Sequence, residues 1–555
     1  MKNKFTLMIL PAVILFSVHI AVAQQDHNMN ADKSGNISNP AVLIPGLGNY
    51  HHKVTTKNKQ AQKFFDQGLV LIYAFNHNEA IRSFQKAAEL DPMCAMAYWG
   101  IAYALGPNYN LPAENDQRKL AYKSMKKAVK HSHHVSQSEK DYIAALSKRY
   151  TKDVNSIDQQ SLDVAFKNAM KKLHNKYPED PDAATLYAES LMNLKPWQLW
   201  NKDGSPAEGT PEIISVLESV LKNYPEHPGA NHYYIHAVEA SNDPGKGLAS
   251  ANQLKTLVPS AGHLVHMPAH ILFRVGDYEG ASNANIEAIK SDDIYIKNNN
   301  PQGVYPLMYY NHNINFLSVS RMMEGKYSDA VRNANIIAAN VKPMLGQMQM
   351  IEGIYTNPLF ILFSFGKWDE IISFPEADTS YKLYSSLLHF FRGTAYASKG
   401  NVTSAKDEYD KFMLFGKTVT ADALIGLTPA SVILHIAEDF LGGKIALAEG
   451  DTSAALTMFK SAVEEENMVN YDEPPDWYPS VRLTLGAVLY LTGDYPAAES
   501  VFRDDLKKYP HNGRGLFGLL ECLKAQGNES EAKIVSDEFN NAWKNAEVTL
   551  DISGY

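Results

Sequence analysis

Small and large apolar residues recur along this chain at fixed offsets. In FFDQGLVLIYAFNHNEAIRSFQKAAELDP, Phe64, Gly68 and Leu71 fall four and three apart, as do Ala80, Phe84 and Ala87. That period marks two amphipathic helices, and the polar FNHNE between them marks a turn. Pro92 ends the second helix. The arrangement returns near the other end at Gly486, Leu489, Ala498, Phe502 and Pro510, and Ala532 follows Ala498 by 34 residues. In between it loosens to helix, glycine-containing turn, small residue and helix: RVGDYEGA around Ala281, MEGKYSDA around Ala330, SKGNVTSA around Ala405 and AEGDTSAA around Ala455. The steps from 281 to 330 and from 405 to 455 are 49 and 50 residues, so loops are inserted or degenerate repeats intervene. Eight to ten helical hairpins are expected.

A small residue where two helices cross lets the backbones approach, and a large one fills the gap. At a 34-residue period this pattern resembles the tetratricopeptide repeat (TPR) across most of the chain. The resemblance implies an all-α fold, a TPR-like α-solenoid of helical hairpins with inserted loops. First helices would line a concave groove and second helices its convex back. Two inserts, GPNYNLPAEND (106–116) and KPWQLWNKDGSPAEGT (195–210), and the irregular YDEPPDWYPS (471–480), interrupt the frame. Ordered loops of such length carry function or act as caps. The expected organisation is a signal peptide (1–23), a flexible leader (24–44), N-terminal repeats (45–230), histidine-bearing repeats (231–345), C-terminal repeats (346–545) and a tail (546–555).

Histidines concentrate in one part of this frame. Five of the nineteen lie between residues 232 and 270, where an even spread would place roughly one. AGHLVHMPAH carries His263, His266 and His270, and NHYYIHAVEA carries His232, His236 and Glu239 on one helix face. Counted from Ala281 and Ala330, the first three and His312 fall at positions that the TPR resemblance turns toward the groove. Residues four apart on a helix can both reach one ion, whereas His263 and His270, seven apart and about 10 Å along the axis, do not share one. The expected ligand shell is His232, His236, His266 and His270, with Glu239 as an oxygen donor. His263 and His312 stand behind it or serve a second ion. Imidazole-rich sites on neighbouring helices suit a divalent transition metal such as Zn, Cu, Ni or Fe, and an open position could activate water or a substrate. The competing reading is a groove that presents imidazoles and tyrosines to a peptide or carboxylate. HxxxH alone is a weak signal, and no zincin-type HExxH is present.

Composition is globular, with 45% hydrophobic and 20% charged residues. The chain opens with Lys2 and Lys4, an apolar run, and Ala21-Val22-Ala23 before Gln24, the features of a cleaved secretory signal. No cysteine follows that run, so a lipid anchor is not supported, and no later stretch could span a bilayer. Loss of the two lysines takes the formal charge from −9 to −11. With only Lys123–Lys130 as a short basic stripe, a solvated face, nucleic acid is not an expected partner. Cys94 and Cys522 are far apart in sequence and expected not to pair.

YDEPPDWYPSVR offers Asp472, Glu473, Asp476, Trp477, Tyr478 and Arg482 as groove candidates for a cationic or sugar-like ligand. The alternative is a chain break at Pro474-Pro475 with Asp476 capping the next helix. His51-His52 could cap the solenoid end or, if the superhelix curls, approach the groove. No phosphate loop, dinucleotide fingerprint or nucleophile elbow is present, so no nucleotide cofactor is expected. The segments YWG-x-A with GPNYN, HYYIHAVE, HMPAHI and YDEPPDWY also resemble a set of exported bacterial TPR proteins, which implies the fold but no reaction. Three function classes follow: an exported scaffold whose groove binds a peptide, a protein or a small ligand, with a histidine metal site; a hydrolytic or redox metal-dependent enzyme; and a glycan- or nutrient-binding protein.

Overall fold

A computed structural model describes residues 41–555 apart from 302, 348 and 377. The expected signal peptide and nearly all of the expected leader lie outside the described residues. Helices dominate and pack in consecutive pairs, from Lys59–Tyr73 with His77–Leu90 to Gly513–Ala525 with Glu529–Ala542. Among the described residues the one strand ladder is Leu424–Ile425 against Thr428–Pro429. No described helix is long and apolar enough to cross a membrane.

A two-residue signal sets many of the hairpin turns. Glycine closes the first helix in the left-handed region, as at Gly450 (φ +86°) and Gly493 (φ +85°). The Asp or Asn that follows caps the second helix: Asp277, Asn401, Asp451, Asp494 and Asn528 each accept the N–H three residues on. Packing then follows the small-large pattern. A Cβ on Gly68 or Gly100 would lie 2.6 or 2.5 Å from the Phe84 ring, so the ring fills a notch between successive first helices. Phe502 sits in the same way between Gly486 and Gly518, and Phe459 against Gly443.

The long steps in the repeat come from lengthened parts. Helix Tyr278–Asn299 runs 22 residues and is followed by a separate turn, Tyr305–Tyr309, which accounts for the step from 281 to 330. A loop with the short ladder and the 20-residue helix Ala430–Glu449 account for the step from 405 to 455. Among the described residues the helix pairs exceed the eight to ten expected, because a pair such as Gln137–Leu146 with Gln159–Lys176 lacks the glycine pattern.

The C-terminal repeats fold back onto the middle of the array. Tyr278 donates to the Pro510 carbonyl at 2.9 Å, Arg274 to that of Lys508 at 3.4 Å, and Arg514 to Met322 and Ser364 at 3.1 and 3.0 Å. This closure brings the 471–480 loop to the histidine-bearing helices. Cys94 and Cys522 are buried free thiols.

Phe84→Ala should destabilise the protein by about 3–5 kcal/mol in denaturant unfolding. Leu414→Ala, at a side chain 65% exposed, should change stability by less than about 0.5 kcal/mol. Equal effects would contradict the notch packing.

Candidate metal centre

Three successive helical segments supply six imidazoles. Helix Pro228–Val238 is buried along its whole length and carries His232 and His236 one turn apart. It approaches helix Lys59–Tyr73 closely because Gly229 has no side chain, and a Cβ there would lie 2.3 Å from the Tyr73 ring. Helices Gly262–His266 and Pro268–Arg274 join through Met267 and carry His263, His266 and His270. The break falls at Pro268, which has no N–H to continue the ladder. His312 lies at the start of helix Tyr310–Met323, directly after a π-helical turn at Tyr305–Tyr309. Such wide turns redirect the side chains around them and recur at functional sites.

The rings form two threes. Ligand atoms of His232, His236 and His263 lie within 4.8 Å of one another, as do those of His266, His270 and His312. In the first set the Nε2 atoms of His263 and His232 are 3.2 Å apart. In the second, Nε2 of His266 lies 2.8 Å from that of His270 and 3.1 Å from that of His312. The sets adjoin, with ring centroids 5.6 Å apart for His236 and His270 and 5.9 Å for His263 and His266. The expected single shell of His232, His236, His266 and His270 is thus divided, and His263 and His312 each complete one three. Glu239 does not occupy the expected oxygen-donor place. Its Oε1 accepts from Nδ1 of His236 at 2.6 Å and its Oε2 from Nδ1 of His270 at 2.5 Å.

These second contacts decide which nitrogen carries the proton. His232 Nδ1 lies 2.6 Å from the Tyr73 carbonyl, and His266 Nδ1 lies 2.6 Å from Oδ1 of Asn285. The amide is oriented by its NH2, which donates to the Ala281 carbonyl. Facing acceptors, the Nδ1 atoms of His232, His236, His266 and His270 are all donors, so in the neutral rings each Nε2 presents a lone pair. Between His266 and His270 two lone pairs then meet at 2.8 Å, which is repulsive unless a proton on one ring or a metal ion lies between them. Nε2 of His236 is buried with no hydrogen-bond partner. Carboxylate or carbonyl behind Nδ1 and Nε2 turned inward is how proteins orient imidazole ligands.

Electrostatics keeps most of the cluster neutral. The first five rings are at most 2% exposed. Burial pushes His232, His263 and His266 well below the ordinary histidine value and His312 to about 3. Burial works against charge on His270 too, but Glu239 outweighs it and holds that ring above the ordinary value. Burial alone would raise Glu239, yet His270 and His236 hold it well below the usual carboxylate range.

The inserts converge here. From 106–116, the ring of Tyr109 lies 5.2 Å from that of His236, and from 195–210 Trp197 reaches the same ring at 5.4 Å. From the third stretch, Tyr471 donates to Oε2 of Glu239 at 3.2 Å. Arg274 ties these parts together, donating to the Glu239 carbonyl at 3.0 Å and lying over the Tyr471 ring.

The groove candidates of 472–482 take other places. Trp477 and Tyr478 are buried against Phe360 and Phe390 in the core of the C-terminal helices, so they cannot line an open groove. Arg482 is paired with Glu466 at 3.0 Å. Asp476 does not cap the following helix; Ser480 does, and Asp476 accepts from the Leu427 N–H instead. Asp472 and Glu473 stand on the histidine side, their carboxyls pushed up by burial to about 6 and about 8.

One hub escaped sequence reasoning. Asp182 accepts from Tyr50 at 2.9 Å, from Tyr73, from His52 at 2.6 Å and from His227 at 3.3 Å. Tyr73 in turn gives its carbonyl to His232, so the segment before the first helix is tied to the ligand set. Burial would lower His52, but Asp182 outweighs it and pushes the ring up to about 9. With both Asp182 oxygens taken, and Asp180 spent on Tyr142 and a helix cap, this cluster is a structural brace. An Asp in a first turn carries no sequence signal beyond favouring the helix dipole.

Residues 65–105 match the family model described as tetratricopeptide repeat. That span holds the Gly68–Phe84–Gly100 notch, and the rest of the described chain continues as an array of helix pairs. No curated protein matches the chain. Among solved structures, the human IFIT1 dimer with m7Gppp-AAAA is 12% identical, with 88% of this chain and 91% of that one covered and a TM-score of 0.34. The APC/C hetero-tetramer Cut9-Hcn1 is 13% identical, with 87% and 76% covered, at 0.33. Yeast Tom70 is 13% identical, with 87% and 100% covered, at 0.32.

A ring with a folded pKa below its ordinary 6.5 binds fewer protons folded than unfolded. Its contribution is complete above pH 6.5 and is withdrawn as pH falls toward the folded value. The metal-free protein should therefore lose stability from about pH 6.5 down to about 3, read as a falling denaturant midpoint. His312→Asn should make that fall shallower. An unchanged slope would contradict a half-buried, neutral His312.

Proposed function

We propose that this TPR-type helical-repeat protein is a metalloprotein that holds two late transition-metal ions side by side, one in each histidine three. The observation that carries this reading is the 2.8 Å approach of two Nε2 atoms whose rings have both committed Nδ1 as donor. A metal ion between them turns repulsion into ligation without the charged, buried His270 ring that a proton would leave there. Three protein nitrogens leave an open position on each ion, the pattern of catalytic sites, where a bound water or substrate is polarised. Such a centre supports metal-dependent catalysis more than passive capture. The histidines are too deeply covered to serve as a peptide-binding surface, and partner binding in the manner of TPR scaffolds would use the outer surfaces. Export belongs to the proposal: residues 1–23 read as a signal peptide, so the ions would be acquired outside the cytoplasm.

Elemental analysis of the purified chain should return two ions per chain, and one each in His263→Ala and His312→Ala. Glu239→Gln should weaken both sites about 10- to 100-fold, because one carboxylate orients a ligand of each. No metal in the parent after loading, or loss of both ions in each single-histidine variant without unfolding, would overturn the reading.

A further inference from the structure

We infer that the two ions are copper and that the centre oxidises a catechol-type aromatic with dioxygen, the ring docking on Trp197. This rests on the two-ion reading above and adds to it the metal, the co-reactant and the substrate class.

The donor set points to copper. All six candidate ligands are imidazoles, and the nearest carboxylate, Glu239, is spent on two Nδ1 protons instead of facing the ions. Carboxylate and water donors suit harder ions, whereas copper heads the affinity order for nitrogen sites. Three neutral nitrogens serve both its cuprous and its cupric states.

The pairing points to a diatomic co-reactant. The two oxygens of one carboxylate set His236 and His270 beside each other, with ring centroids 5.6 Å apart, and each ring belongs to a different ion. Two three-coordinate ions held from one carboxylate lie within reach of a single small molecule. A phenyl ring stands against each histidine three. Phe75 lies 4.5 Å from the His232 ring, and Phe316 lies 5.2 Å from that of His266. Apolar walls exclude the water that hydrolytic chemistry consumes and favour an uncharged gas.

The outer wall points to an aromatic substrate. Tyr109 and Trp197 stack at 5.2 Å and both lie on His236. Tyr109 is buried, while Trp197 is half-buried and so joins the centre to solvent. A half-buried indole on a ligand imidazole gives a flat ring a surface to stack on.

The reaction balances with these parts alone. Each catechol gives up two electrons and two protons and becomes an ortho-quinone. The electrons pass through the two coppers, each cycling between cupric and cuprous. Dioxygen accepts four electrons and four protons and leaves as two waters, so two catechols are consumed per dioxygen.

The test uses the full mature chain loaded with copper and 4-tert-butylcatechol as probe, with oxygen uptake and quinone absorbance followed together. Expected are two coppers per chain and two quinones per dioxygen, at a rate well above that of the same copper concentration in buffer. The zinc-loaded chain should be inactive. Trp197→Ala should keep both coppers and raise KM about tenfold. Two coppers without catalysed oxygen uptake would overturn this inference and leave the two-ion reading standing. Turnover with an unchanged KM in Trp197→Ala would overturn the docking site. Fewer than two coppers in a chain that takes up two zincs would overturn this inference alone, and fewer than two ions of either metal would remove both readings together.

Discussion

Glu239 is 1% exposed and gives its two oxygens to Nδ1 of two different histidines. Because a carboxylate only accepts, both rings must donate there, and both Nε2 lone pairs must point away from it. His232 on the Tyr73 carbonyl and His266 on Asn285 obey the same rule. The outcome is a set of lone pairs crowded into one buried volume. In the metal-free chain a proton on His270 relieves the closest pair; a metal ion does so without charging a buried ring.

Much of the rest of the chain keeps that arrangement in place. Asp182 gathers Tyr50, His52, Tyr73 and His227, and so holds the carbonyl that orients His232. Arg274 reaches Glu239, Ser241 and Lys508, which locks the histidine helices to the returning C-terminal repeats. The closed array differs from an open groove in consequence: its inner face is filled by its own inserts, and the imidazoles are sealed from large partners.

The helical pairs were legible from spacing, because Gly68 with Phe84 and Gly486 with Phe502 obey one offset and each ring needs its glycine notch. The histidine helices were legible for the same reason, as HxxxH places two rings on one face. Their grouping was not. Whether His266 meets His236 or His312 depends on helix crossing and on the π-helical turn at Tyr305–Tyr309, which local periodicity does not encode. Nor does sequence separate a ligand carboxylate from one behind a ligand, so Glu239 was placed on the metal side. Trp477 and Tyr478 read as groove residues because they stand among carboxylates in a stretch able to bind a cationic or sugar-like ligand, yet closure of the array turns them into the core. Tyr109 and Trp197 lie in inserts whose importance was visible from length alone, while their meeting at His236 required the fold.

The most direct test is an anomalous-difference map from crystals of the metal-loaded chain. The expected map has two peaks, one about 2.0–2.1 Å from Nε2 of His232, His236 and His263, the other at the same distance from Nε2 of His266, His270 and His312. A single peak bound by His232, His236, His266 and His270, or no peak within ligand distance of these rings, would contradict the account.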